Sequence, residues 1–505
     1  MDYGILSLVP ALLAVVLALS TRNVLLSLFA AVWAGATMLA GWNPLTGLYS
    51  AVDPFLLDAV ADRDHMKVTL FSLFVGAAVG VMSKGGGTVA LVQIFSRIAK
   101  TRRSGMVATW LAGMVVFFDD YANCLIVGNS MRPLTDRMKI SREKLAYIVD
   151  STAAPIASVA LISTWIGYEV GLMDEGLKAA GQTRDAYGFF VEGIGYRFYS
   201  LFSIAFVGAV AFWGRDFGPM LAAERRQAAT PEPTSAEQAV DDIPASRAAL
   251  AIVPIFSLLL VTGAVLWVDG SAASDPGARI FEIIGGADGY DAMLKGSLAA
   301  LILSLILAPA TGGLTLSGSF EAALKGMTTL FEALVVLFLA WSLGSVMGEL
   351  DAAGYLVENL RSVLDPRLLP TLVFLISAAT AFATGTSFGT MGIVMPMVLP
   401  LSFELSVDPI IPLAASGAVL SGACWGDHCS PISDTTVLSS VGTDCELSAH
   451  VKTQLPYALL VGAISIVLGT LPVGFGVPLF VVLPLGLLVC IASMRLLGKP
   501  LAKPG

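Results

Sequence analysis

Charged residues are scarce in this sequence. Asp, Glu, Lys and Arg together make up 13% of the 505 residues, whereas 56% are hydrophobic and the mean hydropathy is +0.80. A water-soluble protein of this length needs far more charge to cover its surface, so that class is excluded. Apolar runs of about 17 residues or more recur along the chain, and each is long enough to cross a bilayer as a helix. The sequence therefore predicts an all-α polytopic membrane protein.

Other features are missing as well. The five cysteines have no framework spacing, so we interpret them as buried thiols. The alternating pattern of a transmembrane barrel is absent, and the net charge of −9 argues against a nucleic-acid partner. No set of nucleophile, base and orienting group is recognisable, so we expect neither an enzyme nor a cofactor. The first residues lack a basic leader, which favours a retained first span.

About eleven apolar segments are predicted to span the membrane. They are 4–20, 23–40, 67–83, 146–168, 197–214, 248–268, 294–310, 327–348, 411–440, 455–470 and 476–495. Lys and Arg gather in alternate loops, whereas the loops 51–66, 169–196, 269–293 and 349–367 are mainly acidic. The positive-inside rule then predicts a multi-pass protein of the inner (cytoplasmic) membrane, with its N-terminus outside and its C-terminus in the cytoplasm.

Two further apolar segments, 104–131 and 368–406, are predicted to be re-entrant hairpins. Basic residues flank both ends of 104–131, yet the segment is too short for two crossings, which need about 40 residues. Its midpoint, VVFFDDYANC, should therefore lie inside the membrane, buried in protein or beside water. The exit of 368–406 is acidic, so this second hairpin, with ATGTSFGT at its middle, is expected to enter from the opposite side.

The two halves of the chain carry a weak internal repeat. AAPIASVALIST at 153–164 resembles CSPISDTTVLSS at 429–440, and Pro155 matches Pro431. VMSKGGG and FFDDYAN in the first half have counterparts in VMGELDA and ATGTSFGT, in the same order. Each proline interrupts its span. The pattern predicts two inverted-topology repeats, each with a hairpin and a broken helix, as in many secondary transporters.

The predicted organisation follows from these repeats. It comprises N-terminal scaffold helices (1–64), a first repeat (65–215, with hairpin 104–131 and broken helix 146–168), a cytoplasmic linker (216–247), connecting scaffold helices (248–326), a second repeat (327–470, with hairpin 368–406 and broken helix 411–440), and a C-terminal helix and tail (471–505). The linker is assigned from its polar, Ala-, Pro-, Ser- and Glu-rich composition.

Four aspartates are predicted at bilayer depth, namely Asp119, Asp120, Asp427 and Asp434. A charged side chain there costs about 2.5–3.5 kcal/mol on insertion scales, and no Lys or Arg in the same apolar segments can pair with them. The alternative is that they pair with bases from elsewhere or lie near an interface. Carboxylates and hydroxyls suit a small hard cation, so we predict a Na⁺ site at these four residues. Because Asp119 and Asp120 are adjacent, one of them could hold a proton while the other holds the cation.

Hydroxyl and amide side chains complete the predicted site. The ion- and substrate-binding set is Asp119, Asp120, Asn123, Ser151, Thr152, Thr384, Thr386, Ser387, Asp427, His428, Ser430, Asp434, Thr435 and Thr436, and Asp150 and Ser158 are further oxygen donors beside Pro155. His428 suits either proton transfer or substrate binding, or a structural hydrogen-bonding role. The sequence Asp427-His428-Cys429 lacks the spacing of a transition-metal site.

Three motifs together resemble the NhaC family of sodium/proton antiporters. They are GDHCSPISDTTVLSS (426–440), FFDDYANCLIVGNSMRPLTDRMKISREKLAYIVDSTAAPIA (117–157) and ATGTSFGTMGIVMP (383–396). The likeness covers about residues 65–470. It implies an ion-transporter superfamily fold, often a homodimeric scaffold, and exchange of Na⁺ for H⁺. One branch of that family exchanges organic acids such as malate and lactate, coupled to Na⁺ and H⁺.

We therefore expect a secondary active transporter, a sodium/proton antiporter that works by alternating access while Na⁺ and H⁺ compete for buried carboxylates. The alternative is a Na⁺-coupled carrier or exchanger of a small organic anion or amino acid, since hydroxyls and helix N-termini also suit a carboxylate. A channel or a non-transporting receptor is a third, less favoured class. The expected partners are membrane lipid, small ions and a small carboxylate or amino acid.

Overall fold

The computed structural model describes residues 3–21, 23–229, 243–274, 283, 287–360 and 364–501. Within these residues the chain is mostly helical, which confirms the predicted fold class. Two short strands, Arg215–Asp216 and Lys499–Pro500, pair antiparallel and hold the C-terminal segment against the end of helix Phe198–Trp213.

Most helices follow one another through short connections. The α-helices are Val9–Thr21, Val24–Leu39, Pro44–Ser50, Leu57–Ala61, Arg63–Lys84, Gly87–Ile98, Arg102–Val115, Asp120–Ala122, Gly128–Arg137, Arg142–Asp150, Ala154–Val159, Ile166–Ala179, Ala186–Gly193, Phe198–Trp213, Gly218–Ala229, Ala249–Ala273, Gly289–Ala310, Leu316–Thr329, Phe331–Glu349, Ala352–Leu360, Leu369–Thr384, Ser387–Leu405, Ile410–Cys429, Asp434–Thr443, Leu447–Ser465, Leu471–Gly474 and Leu479–Leu497. Turns of 3-10 or π-helix extend several of them, at Gly4–Leu8, Ala51–Leu56, Asn123–Val127, Ile194–Tyr196, Ala245–Ala248, Pro366–Leu368 and Ile466–Thr470.

In the described part of the chain, nine helices are long and apolar enough to cross a membrane, and the number rises to eleven if each of two bent pairs counts as one span. The bent pairs are Val24–Leu39 with Pro44–Ala61, bent by 117°, and Ala186–Tyr196 with Phe198–Trp213, bent by 51°. The total agrees with the predicted count of about eleven spans, but its membership differs. Two of the nine helices, Pro366–Thr384 and Ser387–Leu405, are the arms of the second predicted hairpin, and each is long enough for a full crossing. The protein is a multi-pass membrane protein.

Two segments predicted as outer loops are helical instead. Residues Pro44–Ala61 form bent helices, and Ile166–Ala179 form an almost completely buried helix that includes Glu169 and Glu175. The prediction of loops at 51–66 and 169–196 is therefore wrong. Protein rather than lipid surrounds the second helix, and acidic side chains that face the interior of a bundle can find partners there.

Both predicted hairpins form helix–turn–helix units. In the first hairpin, helices Arg102–Val115 and Gly128–Arg137 flank a tip at 116–127. In the second hairpin, helices Leu369–Thr384 and Ser387–Leu405 join at Gly385, whose left-handed φ of 72° allows the tight turn. Entry of the two hairpins from opposite sides of the membrane stays a prediction.

Helix breaks occur where the sequence predicts broken helices. The first broken helix consists of Arg142–Asp150 and Ala154–Val159, which a turn at 151–153 separates. The second consists of Ile410–Cys429 and Asp434–Thr443, with the break at 430–433. Each break exposes backbone carbonyl and amide groups, which is the feature that ion sites in transporters use. The inverted relation of the two repeats stays a prediction.

The predicted linker 216–247 is helical in its first part. Residues Gly218–Ala229 form a helix in which Met220 and Glu224 are buried. Glu224 pairs with Arg102 at the start of the first hairpin, so this part of the chain is docked on the protein and is not a free linker. The remaining residues 230–242 of the predicted linker lie outside the described residues.

The first part of a long kinked helix, 316–349, packs along helix Arg63–Lys84. Its two parts join at Leu330. The carboxylate of Glu321 lies 3.1 Å from Lys84 Nζ, and a Cβ on Gly76 would lie 2.8 Å from Leu330 Cδ1. Since later residues of one helix meet earlier residues of the other, the two helices run antiparallel. The kink at Leu330 therefore lies beside the interior of a membrane-spanning helix.

Candidate functional site

A cavity of about 340 Å³ lies between the tips of the two hairpins, the second broken helix and the kinked helix. Its charged lining residues are all acidic: Asp119 and Asp120 from the first hairpin, Asp434 from the second broken helix, and Glu332 from the kinked helix. Of the described residues that line the cavity, none is Lys, Arg or His. Hydroxyl groups add to the polar lining, from Tyr121, Thr164, Thr329, Thr384 and Thr386. The lining thus favours a positively charged occupant.

The tip of the first hairpin positions its two aspartates differently. Asp119 precedes the short helix that begins at Asp120, and its Oδ1 accepts a hydrogen bond of 2.6 Å from the amide of Ala122. Asp120 is 4% exposed, and its Oδ2 has no hydrogen-bond partner in the described structure. The neighbouring Tyr121 hydroxyl donates to Asp434 Oδ2 over 3.2 Å, which links the first hairpin to the second broken helix.

Asn123 anchors this tip to the first broken helix. Its side-chain amide donates to the carbonyl oxygen of Thr152 over 2.7 Å and to that of Gly113 over 2.8 Å, with a longer contact of 3.3 Å to Val116. Asn123 and Thr152 are both 0% exposed. Because buried carbonyls need partners, this one side chain stabilises the turn of the hairpin and the break of the adjacent helix together.

The second hairpin meets the second broken helix in a comparable way. Ser430, at the break, donates to the carbonyl oxygen of Phe382 over 2.8 Å. A Cβ on Gly385 would lie 2.6 Å from the carbonyl oxygen of Ile432, so glycine permits this close approach. Thr386 caps the following helix by accepting from an amide in its first turn over 3.4 Å. The tip therefore presents hydroxyls to the cavity from a tightly packed turn.

Glu332 reaches the cavity from the kinked helix. Helix Arg63–Lys84 has 22 residues, which is about 33 Å of helix and close to the thickness of a bilayer core. Gly76, which touches Leu330, lies about 20 Å from the start of that helix. Glu332 follows Leu330 by two positions and is the second residue of helix Phe331–Glu349. Its side chain is exposed and lines the cavity.

A second polar cluster, around Asp150, is completely buried. Asp150 Oδ2 accepts hydrogen bonds from Gln454 over 2.6 Å, from Thr436 over 3.2 Å and from His450 Nε2 over 3.3 Å. His428 Nε2 lies 3.2 Å from the backbone oxygen of Asp150. Since a carbonyl oxygen can only accept, this nitrogen carries the proton. The cluster joins the first broken helix to three helical segments of the second half.

Asp427 lies next to this cluster and does not line the cavity. It is 2% exposed, its Oδ2 accepts from Thr435 over 3.0 Å, and its Oδ1 has no partner in the described residues. The adjacent Thr436 bonds to Asp150. The first turn of helix Asp434–Thr443 thus contacts both buried carboxylates, while its first residue faces the cavity.

The predicted site residues divide between these two environments. Asp119, Asp120, Thr384, Thr386 and Asp434 line the cavity. The others are buried outside its lining, namely Asn123, Ser151, Thr152, Ser387, Asp427, His428, Ser430, Thr435 and Thr436. No group of three or more His, Cys, Asp or Glu among the described residues is arranged to hold a metal ion. The four predicted aspartates therefore do not form one carboxylate cage in this conformation, because Asp427 points into the buried cluster.

Sequence reasoning missed several residues of these environments. Glu332 is an acidic residue inside the predicted span 327–348, a signal that is visible in the sequence. Asp150 is recognisable only as an oxygen donor beside Pro155, whereas the structure makes it the centre of a cluster with His450 and Gln454. Those two partners lie about 300 positions from Asp150, so no local pattern connects them.

Buried bases are present, but they serve other acids. Arg197 pairs with Glu169 over 2.9 Å, and both side chains are 0% exposed. Lys144, also fully buried, pairs with Asp216. Within the described residues, no ion pair reaches the aspartates of the cavity or Asp427, so their charge is available to a bound cation or a proton.

Comparison with known proteins agrees with this architecture. The family model described as "Na+/H+ antiporter family" matches residues 156–474. An uncharacterized protein of Haemophilus influenzae is 32% identical over 505 residues, which cover 97% of this chain and 95% of that protein. The malate-2H(+)/Na(+)-lactate antiporter of Bacillus subtilis is 32% identical over 158 residues, which cover 31% of this chain and 32% of that protein.

A solved structure supports the transporter fold. The YdaH transporter of Alcanivorax borkumensis superposes with a TM-score of 0.61 over 86% of this chain and 90% of its own, at 16% identity. That likeness concerns the fold alone. The family match confirms the resemblance predicted from the three motifs, and it indicates a transporter rather than an enzyme. This chain belongs to the Na⁺/H⁺ antiporter family.

Proposed function

We propose that this protein exchanges Na⁺ for H⁺ across the membrane and that the acidic cavity is its cation site. The observation that carries the proposal is the lining itself, which has four carboxylates and, among the described residues, no basic side chain. Carboxylate, hydroxyl and carbonyl oxygens are the ligands that hard cations prefer. Asp119 and Asp120 at the first hairpin tip are the proposed residues for which Na⁺ and H⁺ compete.

The proposed cycle is alternating access. A proton that reaches Asp120 removes its negative charge and weakens the attraction for Na⁺, which then leaves. Loss of the proton on the other side of the membrane restores the charge and the cation site. The hairpin tips and the broken helices would move against the kinked helix, as inverted repeats do in other secondary transporters. If more protons than sodium ions move per cycle, the membrane potential contributes to the driving force.

Proton flux in proteoliposomes tests this proposal. In vesicles that contain a pH-sensitive dye, a Na⁺ or Li⁺ gradient should drive protons through the wild-type protein. Asp120→Asn removes the charge of a buried carboxylate that no base neutralises, so we expect it to abolish the flux. Asp291→Asn is the matched control, because Asp291 pairs with Lys295 over 2.5 Å outside the cavity. Absence of flux in the wild type at every pH, or full flux in Asp120→Asn, would refute the proposal.

A second candidate is a Na⁺-coupled carrier of a small organic anion or amino acid. The partial similarity to the malate-2H(+)/Na(+)-lactate antiporter favours it. The acidic lining disfavours it, since a carboxylate substrate would meet carboxylates of the same charge unless a cation binds first. This carrier would be supported if malate, lactate or amino acids raised the thermal stability of the purified protein only when Na⁺ is also present.

The assembly and the orientation are proposed from the family resemblance and from the positions of the basic residues. The family resemblance suggests a homodimer in the cytoplasmic membrane, and the positive-inside rule suggests an outer N-terminus with a cytoplasmic C-terminus. Chemical cross-linking in membranes tests the dimer. Protease treatment of sealed, oriented vesicles that carry a terminal tag tests the orientation, and cleavage of a C-terminal tag from the outer side would refute it.

A further inference from the structure

The cavity is larger than a small metal cation needs. A water molecule occupies about 30 Å³ in the liquid, so a volume of about 340 Å³ exceeds that of one dehydrated alkali ion many times over. It falls instead at the lower end of the range of about 300–1,000 Å³ that is typical of pockets for organic ligands. A water-filled access path could have the same volume, so the chemistry of the lining residues is needed to distinguish it from a binding site for an organic ligand.

The lining combines carboxylates with an apolar surface. Asp120 and Glu332 come from different structural elements, the first hairpin and the kinked helix. Val336 follows Glu332 by one helical turn, and Phe388 contributes an aromatic ring. A metal ion gains nothing from such apolar groups, whereas an organic cation can place its head group on carboxylates and its carbon atoms on Val336 and Phe388.

Two buried polar atoms beside the cavity lack partners. Asp120 is 4% exposed and its Oδ2 has no hydrogen-bond partner in the described structure. Thr164 is 3% exposed and its Oγ1 likewise has none among the described residues. Unpaired buried polar atoms are costly, and both of these oxygens can accept, so they favour a ligand that donates hydrogen bonds. An ammonium or guanidinium group donates several, in contrast to Na⁺.

We propose that the cavity takes a compact organic cation with an ammonium or guanidinium head group, bound between Asp120 and Glu332. This inference rests on the proposed cation exchange but names a different substrate class. The head group donates to the carboxylates of Asp120 and Glu332, and the rest of the molecule contacts Val336 and Phe388. The bound cation thus joins the first hairpin to the kinked helix, the elements that would separate during transport.

Radiolabelled guanidinium uptake tests the inference. Guanidinium and 1-butylguanidinium stay charged at neutral pH, so neither leaks across as a neutral base, and protein-free vesicles provide the background. In wild-type proteoliposomes we expect both to exchange for protons and to compete with Na⁺, and butylguanidinium should compete at a lower concentration because its chain reaches Val336. Guanidine-driven flux should fall at least tenfold in Glu332→Gln, with a smaller fall in Na⁺-driven flux.

Two further variants distinguish effects of the size and charge of the cavity from general damage to the protein. Ala333→Phe fills part of the cavity next to Glu332, so it should lower butylguanidinium exchange more than Na⁺ exchange. Glu321→Gln is the matched control, because Glu321 lies on the same kinked helix but pairs with Lys84 in an exposed position. Both fluxes should remain as in the wild type in this variant.

The outcomes distinguish this inference from the proposed function. Na⁺-driven proton flux without any guanidine exchange or competition would overturn the inference and leave the sodium/proton exchange intact. Guanidine exchange without Na⁺ exchange would support the inference and refute the choice of Na⁺. Equal losses of both fluxes in Glu332→Gln would contradict the assigned role of Glu332, and absence of both fluxes from the wild type would refute both proposals.

Discussion

Replacement of Asn123 by alanine is expected to destabilise the protein and to slow exchange. The two N–H groups of this buried side chain serve the carbonyl oxygens of Thr152 and Gly113, at 2.7 and 2.8 Å. Asn123→Ala leaves both carbonyls buried and unpaired, at about 1–3 kcal/mol each, so we expect a loss of about 2–6 kcal/mol in the free energy of unfolding. That is a large share of a typical net stability of about 5–15 kcal/mol.

The same hairpin offers a matched control. Asn129, on the second helix of the first hairpin, is exposed and donates to the carbonyl oxygen of Leu125 within its own helix. Asn129→Ala deletes the same atoms, yet it should change the free energy of unfolding by less than about 0.5 kcal/mol. Asn123→Asp keeps the shape of the side chain but loses the donors and adds a charge, so it should be at least as damaging as Asn123→Ala.

The measurements are equilibrium unfolding in detergent, followed by tryptophan fluorescence, and Na⁺-driven proton flux in proteoliposomes. Asn123→Ala should lower both the stability and the flux, since the tip that it anchors carries Asp119 and Asp120. If Asn123→Ala matched Asn129→Ala in both stability and flux, the tip would not depend on this anchor. The reasoning from hydrogen bonds to function would then be refuted.

Two further predictions concern packing around the site. Arg197→Met should lower the free energy of unfolding by about 3–5 kcal/mol, because it leaves the carboxylate of Glu169 buried without its partner at 2.9 Å. Addition of Glu169→Leu should recover most of that loss, as measured by thermal unfolding. A double variant no more stable than Arg197→Met would contradict this. A left-handed backbone costs a non-glycine residue about 1–2 kcal/mol. Gly385→Ala should lower the free energy of unfolding by more than this, since its Cβ would also lie 2.6 Å from the carbonyl oxygen of Ile432. Gly312→Ala, with a φ of 68° and nothing within 4 Å of its Cβ, is the control, and equal losses in the two variants would argue against a close approach.

Hydropathy misled the sequence-based prediction in one respect. The helix Ile166–Ala179 contains Glu169 and Glu175, and its acidic character suggested an outer loop. Hydropathy measures how favourably a segment partitions into lipid, but this helix packs against other helices and not against lipid. The charge of Glu169 is matched by Arg197, which comes from another part of the chain. Such pairing is a property of the assembled bundle and has no signature within the helix.

The sequence by itself determined the helical membrane fold, the two hairpin turns and the helix breaks near Pro155 and Pro431, because apolar length, glycine and proline act locally. Only the tertiary structure decided which carboxylates share a cavity. It placed Glu332 and Asp120 in the lining of one cavity and left Asp427 outside that lining. The physical reason is that a cavity forms where several helices meet, so its lining depends on packing between segments that lie hundreds of residues apart.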